Sequence, residues 1–203
     1  MKRRIVLVAP VLLAPVLLTG CASLLPKQKY VPVVSWPLNP LPVQSQPVNE
    51  AGKVVLLRNL DAGPGMSDQA IQTLNTDGSL TTSYYNQWAV APADAASEVL
   101  ATWLTASGAF SAVVSPGSRL NADLIVEGAL TELVSDLARS EAQAVLTLVV
   151  IRNINGNTRP LAQQRIIGTA PLTGTGYGAQ ASAQSAALAN AMGQAVSLVT
   201  RFD

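Results

Sequence analysis

The chain has 203 residues, room for one domain with appendages and a sizeable buried core. Lys and Arg number 13 against 12 Asp and Glu, a net of +1, and charged residues are only 12% of the chain, about half the usual share. Such a chain lacks the basic surface that grips nucleic acid. With no His and a single Cys, it also lacks the commonest general base, any Ser-His or Cys-His nucleophile pair, an internal disulfide and a cysteine-cluster metal site.

Lys2, Arg3 and Arg4 precede an apolar run of 14 residues, Ile5 to Leu18. Crossing a bilayer takes about 20, and Pro10 and Pro15 interrupt the run. It therefore reads as a secretory signal peptide over residues 1–20. The run ends in Leu18-Thr19-Gly20-Cys21, which resembles the bacterial lipobox, Leu-small-small-Cys. That resemblance implies acylation of Cys21 (palmitate-type chains) and cleavage before it. Only a thiol forms the thioether that carries the glyceride, and two or more acyl chains anchor stably. Cleavage removes three basic residues and leaves a net of −2, so lipid rather than charge would hold the protein to its membrane. Ala22 follows the cysteine, where Asp commonly marks inner-membrane retention in lipoproteins of this kind. The resemblance thus implies the outer membrane, on its periplasmic face.

Pro26, Pro32, Pro37, Pro40, Pro42 and Pro47 crowd the next stretch. Proline blocks helix and central strand alike, so residues 21–52 are expected to be a lipidated, extended tether, with the domain at 53–203. Within the tether, Lys29–Val34 is either free arm or an added edge strand. Lys53–Arg58 is a short apolar run with the look of a buried strand, broken by Gly63-Pro64-Gly65. Gln69–Leu74 and Leu80–Tyr85 flank Asn75-Thr76-Asp77-Gly78, a hairpin signal. Pro92 opens a helix in its favoured first position. Ala96, Val99, Leu100, Trp103 and Leu104 recur at helical spacing, and Gly108 closes it. Phe110–Val114 is a short strand. Asp123–Ser135, Ala142–Arg152 and Leu161–Ala170 are longer ones, joined by turns short enough to favour antiparallel neighbours. A last helix runs from about Ala179 to Thr200. Leu188, Ala191, Ala195, Val199 and Phe202 form its packed face, and Gln180, Gln184 and Gln194 the opposite one.

Three places invite chemistry. Gly174-Thr-Gly176-Tyr-Gly178-Ala179 mimics a dinucleotide fingerprint, but that motif needs a second strand and an acidic residue about 20 positions on. It reads as a loop into the last helix. Glu127 and Glu132 form a candidate carboxylate pair, the one route to a hydrolase. On a regular strand they face opposite sides unless a bulge intervenes, so the pair reads as solvated. Tyr84, Tyr85 and Trp88 cluster in a chain that is only 4% aromatic, either as packing beneath the first helix or as a partner interface. No catalytic residue, cofactor or metal is expected.

Ser83-Tyr-Tyr-Asn-Gln-Trp-Ala-Val-Ala-Pro92, then Ser107-Gly108-Ala109-Phe110, then Ala122-Asp123-Leu124-Ile125-Val126-Glu127-Gly128 resemble, in order and spacing, the ABC-type transport auxiliary lipoproteins. These work beside mammalian-cell-entry (MCE) type proteins. The lipobox and the Ala-rich last helix agree. The resemblance implies an α/β fold: a single compact domain, a mixed and largely antiparallel sheet flanked by helices on its faces, after a signal peptide and a tether. It implies a non-catalytic outer-membrane component of an intermembrane lipid transport system, with an MCE-type partner and with permease and ATPase on separate chains, since this one has no G-x-x-x-x-G-K-[ST]. Self-assembly into a homo-oligomer is a further expectation. The competing reading is a stand-alone periplasmic lipoprotein with its own apolar pocket.

Overall fold

The computed structural model of the chain describes residues 30–203. The expected signal peptide, Cys21, Ala22 and the first part of the tether lie outside the described residues. Val33–Asp203 forms one compact unit. Its elements in chain order are β1 (Val34–Trp36), β2 (Val54–Leu57), β3 (Asp61–Ala62), β4 (Ala70–Leu74), β5 (Leu80–Trp88), α1 (Pro92–Ala106), β6 (Ala112–Val114), β7 (Leu124–Asp136), β8 (Glu141–Ile154), β9 (Asn157–Pro171) and α2 (Tyr177–Val199).

The strand β7 organises the sheet. The antiparallel strand β8 takes one of its edges over the whole length, and β9 continues outward from β8, also antiparallel. Three short strands share the other edge, all parallel to β7: β2 beside Leu124–Val126, β3 beside Ala129–Leu130 and β4 beside Val134–Asp136. Val55 to Leu74 is therefore one interrupted strand with an excursion after Gly63. That glycine passes so close to the β7 backbone at Leu130 and Thr131 that a Cβ would collide with it. The strands β4 and β5 form the expected hairpin. In its turn, Asp77 accepts hydrogen bonds from the hydroxyl (2.6 Å) and amide (2.9 Å) of Ser79. These hold its carboxyl below the usual carboxylate range. That support is present at neutral pH and is lost as pH falls through the lowered value.

Both helices pack on the same face of the sheet. Along β8, Ala142, Ala144, Leu146, Leu148 and Val150 are fully buried, while Gln143, Thr147, Val149 and Ile151 alternate with them and keep contact with solvent. The helices contact each other as well. The expected α/β domain, a mixed and largely antiparallel sheet with helices packed on it, is thus built as two layers, with the sheet's other face half-solvated, as antiparallel sheets allow. At Gly168 the backbone of α2 comes close enough that there is no room for a Cβ.

The polar side of α2 departs from expectation. Gln180 and Gln184 are buried against the sheet, Gln184 completely. Its Nε2 donates to the Gln72 carbonyl (2.9 Å) and the Ser135 Oγ (3.0 Å), and Gln180 Oε1 accepts from Thr73 (2.6 Å). A buried carbonyl or hydroxyl without a partner costs about 1–3 kcal/mol, and the amides meet that need. Asn190 and Gln194, both exposed, donate to the carbonyls of Thr169 (2.7 Å) and Ile167 (2.9 Å) on the outer edge of β9.

The proline-rich segment supplies the main correction to the expected boundary at residue 53. From Val33 to Gly52 the chain is part of the compact unit. The strand β1 pairs in parallel with the end of β5. Leu38 is buried in the core. Beyond it, the Pro40 carbonyl accepts from Trp103 Nε1 (2.8 Å), and the amides of Gln46 and Asn49 donate to the carbonyls of Ala106 (2.8 Å) and Gly108 (2.7 Å). A segment poor in backbone donors thus serves as a strap across α1 and over its C-terminal end.

Candidate functional surface

Among the described residues there is no group of three or more His, Cys, Asp or Glu side chains that could hold a metal, and no helix long and apolar enough to cross a membrane. The carboxylate pair comes partly together. A bulge at Thr131 returns Glu132 to the face of Glu127, since the two oppose Val145 and Val149 of β8. Four residues of strand still separate them, about 13 Å, well beyond the spacing of a glycosidase-type pair. Each has its own partner: Glu127 meets Arg58 at 3.5 Å, and Glu132 accepts from Gln143 at 3.1 Å. The glycine loop makes a turn from β9 into α2 using positive φ at Gly174 (114°) and Gly176 (84°). Because β9 lies antiparallel to β8 at the sheet's edge, the loop does not sit in the crevice at the ends of parallel strands where dinucleotides bind.

The aromatic cluster splits. Trp88 is 1% exposed and belongs to the core, so it leaves the expected interface. Tyr84 and Tyr85 are 73% and 45% exposed, with rings edge to face at a centroid distance of 5.1 Å. The cause is a wide bulge: between the pairs Ala70–Gln87 and Gln72–Thr82, Ile71 alone stands opposite Ser83–Asn86. The Ser83 Oγ pins the bulge by accepting from the Asn86 amide (2.9 Å), and Gln87 Nε2 donates to the Tyr84 carbonyl (3.0 Å). The extra residues lift both tyrosines off the ladder, while Trp88 turns inward.

These tyrosines belong to a larger surface. No charged residue occurs from Tyr30 to Asn49 or from Gly78 to Ala93, and pairing of β1 with β5 joins the two segments. They carry nine of the thirteen exposed large hydrophobic residues of the Val33–Asp203 unit, among them Val33, Val34, Leu41, Leu80 and Val90. Beside them the strap and α1 enclose an open groove of about 340 Å³, lined by Pro37, Leu38, Leu41, Val90 and Val99 with Glu98 as its one charge. Residue by residue, the sequence reading identified only the tyrosines. The two charge-free runs are the signal that marks the rest.

A family model described as "ABC-type transport auxiliary lipoprotein component" matches residues 37–196. No curated protein matches this chain. Among solved structures, a Xanthomonas campestris protein described under the family label DUF330 is 21% identical, with 85% of this chain and 96% of that one covered at a TM-score of 0.63. A second, described only as an uncharacterized protein, is 11% identical over 84% of this chain and 98% of its own, with a TM-score of 0.60. Both likenesses concern the fold.

Proposed function

The chain belongs to the ABC-type transport auxiliary lipoprotein component family, and on that premise we propose that it is a non-catalytic docking component of an MCE-type intermembrane lipid transport system, anchored by lipid at Cys21 to the periplasmic face of the outer membrane. The charge-free surface formed by the strap, β1 and β5 carries this reading. Exposed apolar patches of this extent mark protein or membrane contacts. A tethered domain also gains effective concentration near a fixed partner, so modest contacts suffice. The groove between strap and α1 is the candidate contact for the MCE-type protein. Permease and ATPase remain other chains. The stand-alone carrier reading has less support, because the space between sheet and helices is filled by Leu100, Leu104, Leu146, Leu148 and Leu188, all fully buried.

Two measurements test the proposal. Cys21→Ser should abolish labelling by a fatty-acid analogue, while the unaltered protein, with Ala22 after the cysteine, should fractionate with the outer membrane. Labelling that persists in the variant, or fractionation with the inner membrane, contradicts the anchor. Non-lipidated Val33–Asp203 should bind the MCE-type partner with little change between low and high salt, since few charges are there to be screened. No binding, or a steep loss with salt, contradicts docking through this surface.

A further inference from the structure

The chain enters the domain beside its most exposed aromatic residues. Val34 is paired with Asn86 and Ser35 with Gln87, so β1 lies one strand spacing, about 4.8 Å, from the bulge that carries Tyr84 and Tyr85. Cys21 lies only twelve residues before Val33, and that length of chain spans at most about 40 Å fully extended. With the strap docked on α1, little tether remains to hold the domain away from the bilayer. The entry point of the chain is thus the part of the domain most tightly confined to the membrane.

From these observations we infer that the tip formed by Tyr84 and Tyr85, with the neighbouring exposed Val33 and Val34, rests in the headgroup layer of the membrane that holds the anchor. The inference builds on the proposed lipidation of Cys21. Tyrosine suits that layer because its ring is apolar and its hydroxyl stays hydrated. The charge-free stretch from Gly78 to Ala93 avoids the cost of bringing an ion to the acyl boundary. The contact is small, but the anchor makes it intramolecular, so weak partitioning is enough to orient the domain. The groove between strap and α1 is then left for the protein partner.

The test uses the full-length, lipidated protein in phosphatidylethanolamine–phosphatidylglycerol vesicles. Thioether formation consumes the only native thiol, so Tyr84→Cys supplies a unique site for a nitroxide label, and Tyr85→Cys a second one. Arg159→Cys on the exposed start of β9 serves as a reference, four strand spacings or about 19 Å from β5 across the sheet. Labels at 84 and 85 should lose access to a water-soluble nickel chelate and gain contact with membrane-dissolved oxygen, while the label at 159 keeps its access to the chelate. Flotation of the vesicles reads the anchor separately: protein that does not float shows failure of lipidation. Floated protein whose labels at 84 and 85 remain as accessible as that at 159 overturns the inference. Protection that arises only when the MCE-type protein is added also overturns it and makes the tip a protein contact.

Discussion

Gly168→Ala should lower the melting temperature of the domain by about 10 °C. A Cβ at this position would meet the Ala187 carbonyl and the Ala191 amide of α2, both backbone atoms that cannot rotate away. Either the helix or β9 must shift, and overpacking of a well-filled core costs about 3 kcal/mol, which for a domain of this size corresponds to roughly 10 °C. Gly193→Ala is the control. It lies within the same helix, and its added Cβ would meet only the Trp103 ring at 3.7 Å, an ordinary contact. Replacing a mid-helix glycine by alanine should then stabilise by up to about 1 kcal/mol. Thermal denaturation followed by circular dichroism separates the two outcomes. Equal melting temperatures would mean that close approach of α2 to β9 is unimportant.

The second large effect concerns the strap. A chain beginning at Lys53 should be mostly unfolded, or molten, where one beginning at Val33 folds. Removing residues 33–52 exposes the site of Leu38, which is 6% exposed in the folded domain. It also deletes β1 and takes partners from Trp103 Nε1 and from the carbonyls of Ala106 and Gly108. Burial of one Leu contributes about 2 kcal/mol and three hydrogen bonds about 1 kcal/mol each. The total of about 5 kcal/mol is comparable with the whole stability of a small domain. Urea titration of the two chains measures the difference. If they unfold at the same midpoint, the strap is a passive tether after all. If the prediction holds, soluble forms for binding work must begin at Val33.

Much of the architecture is legible because it is local. The Pro92 start and the Gly108 end of α1 rest on backbone geometry that only those residues favour there, and Gly108 does adopt a φ of +67°. The hairpin at Asn75–Gly78 and the antiparallel run from β7 to β9 follow from turn residues and short connections. The family resemblance is carried by the same local strings.

What escaped the reading depends on partners distant in sequence. Proline spacing correctly excludes helix from residues 30–52, but proline keeps its carbonyl, and whether Pro40 uses it is decided by Trp103, 63 residues away. Helical periodicity assigns the amides of α2 to the solvent side because amides are usually hydrated. A buried carbonyl at Gln72 and a buried hydroxyl at Ser135 need a donor, and these draw Gln184 inward. The aromatic cluster divides for a similar reason. Period-two alternation cannot foresee a bulge that sets four residues against one, and it is that bulge, facing Ile71 across the ladder, that turns Trp88 into the core and leaves Tyr84 and Tyr85 outside.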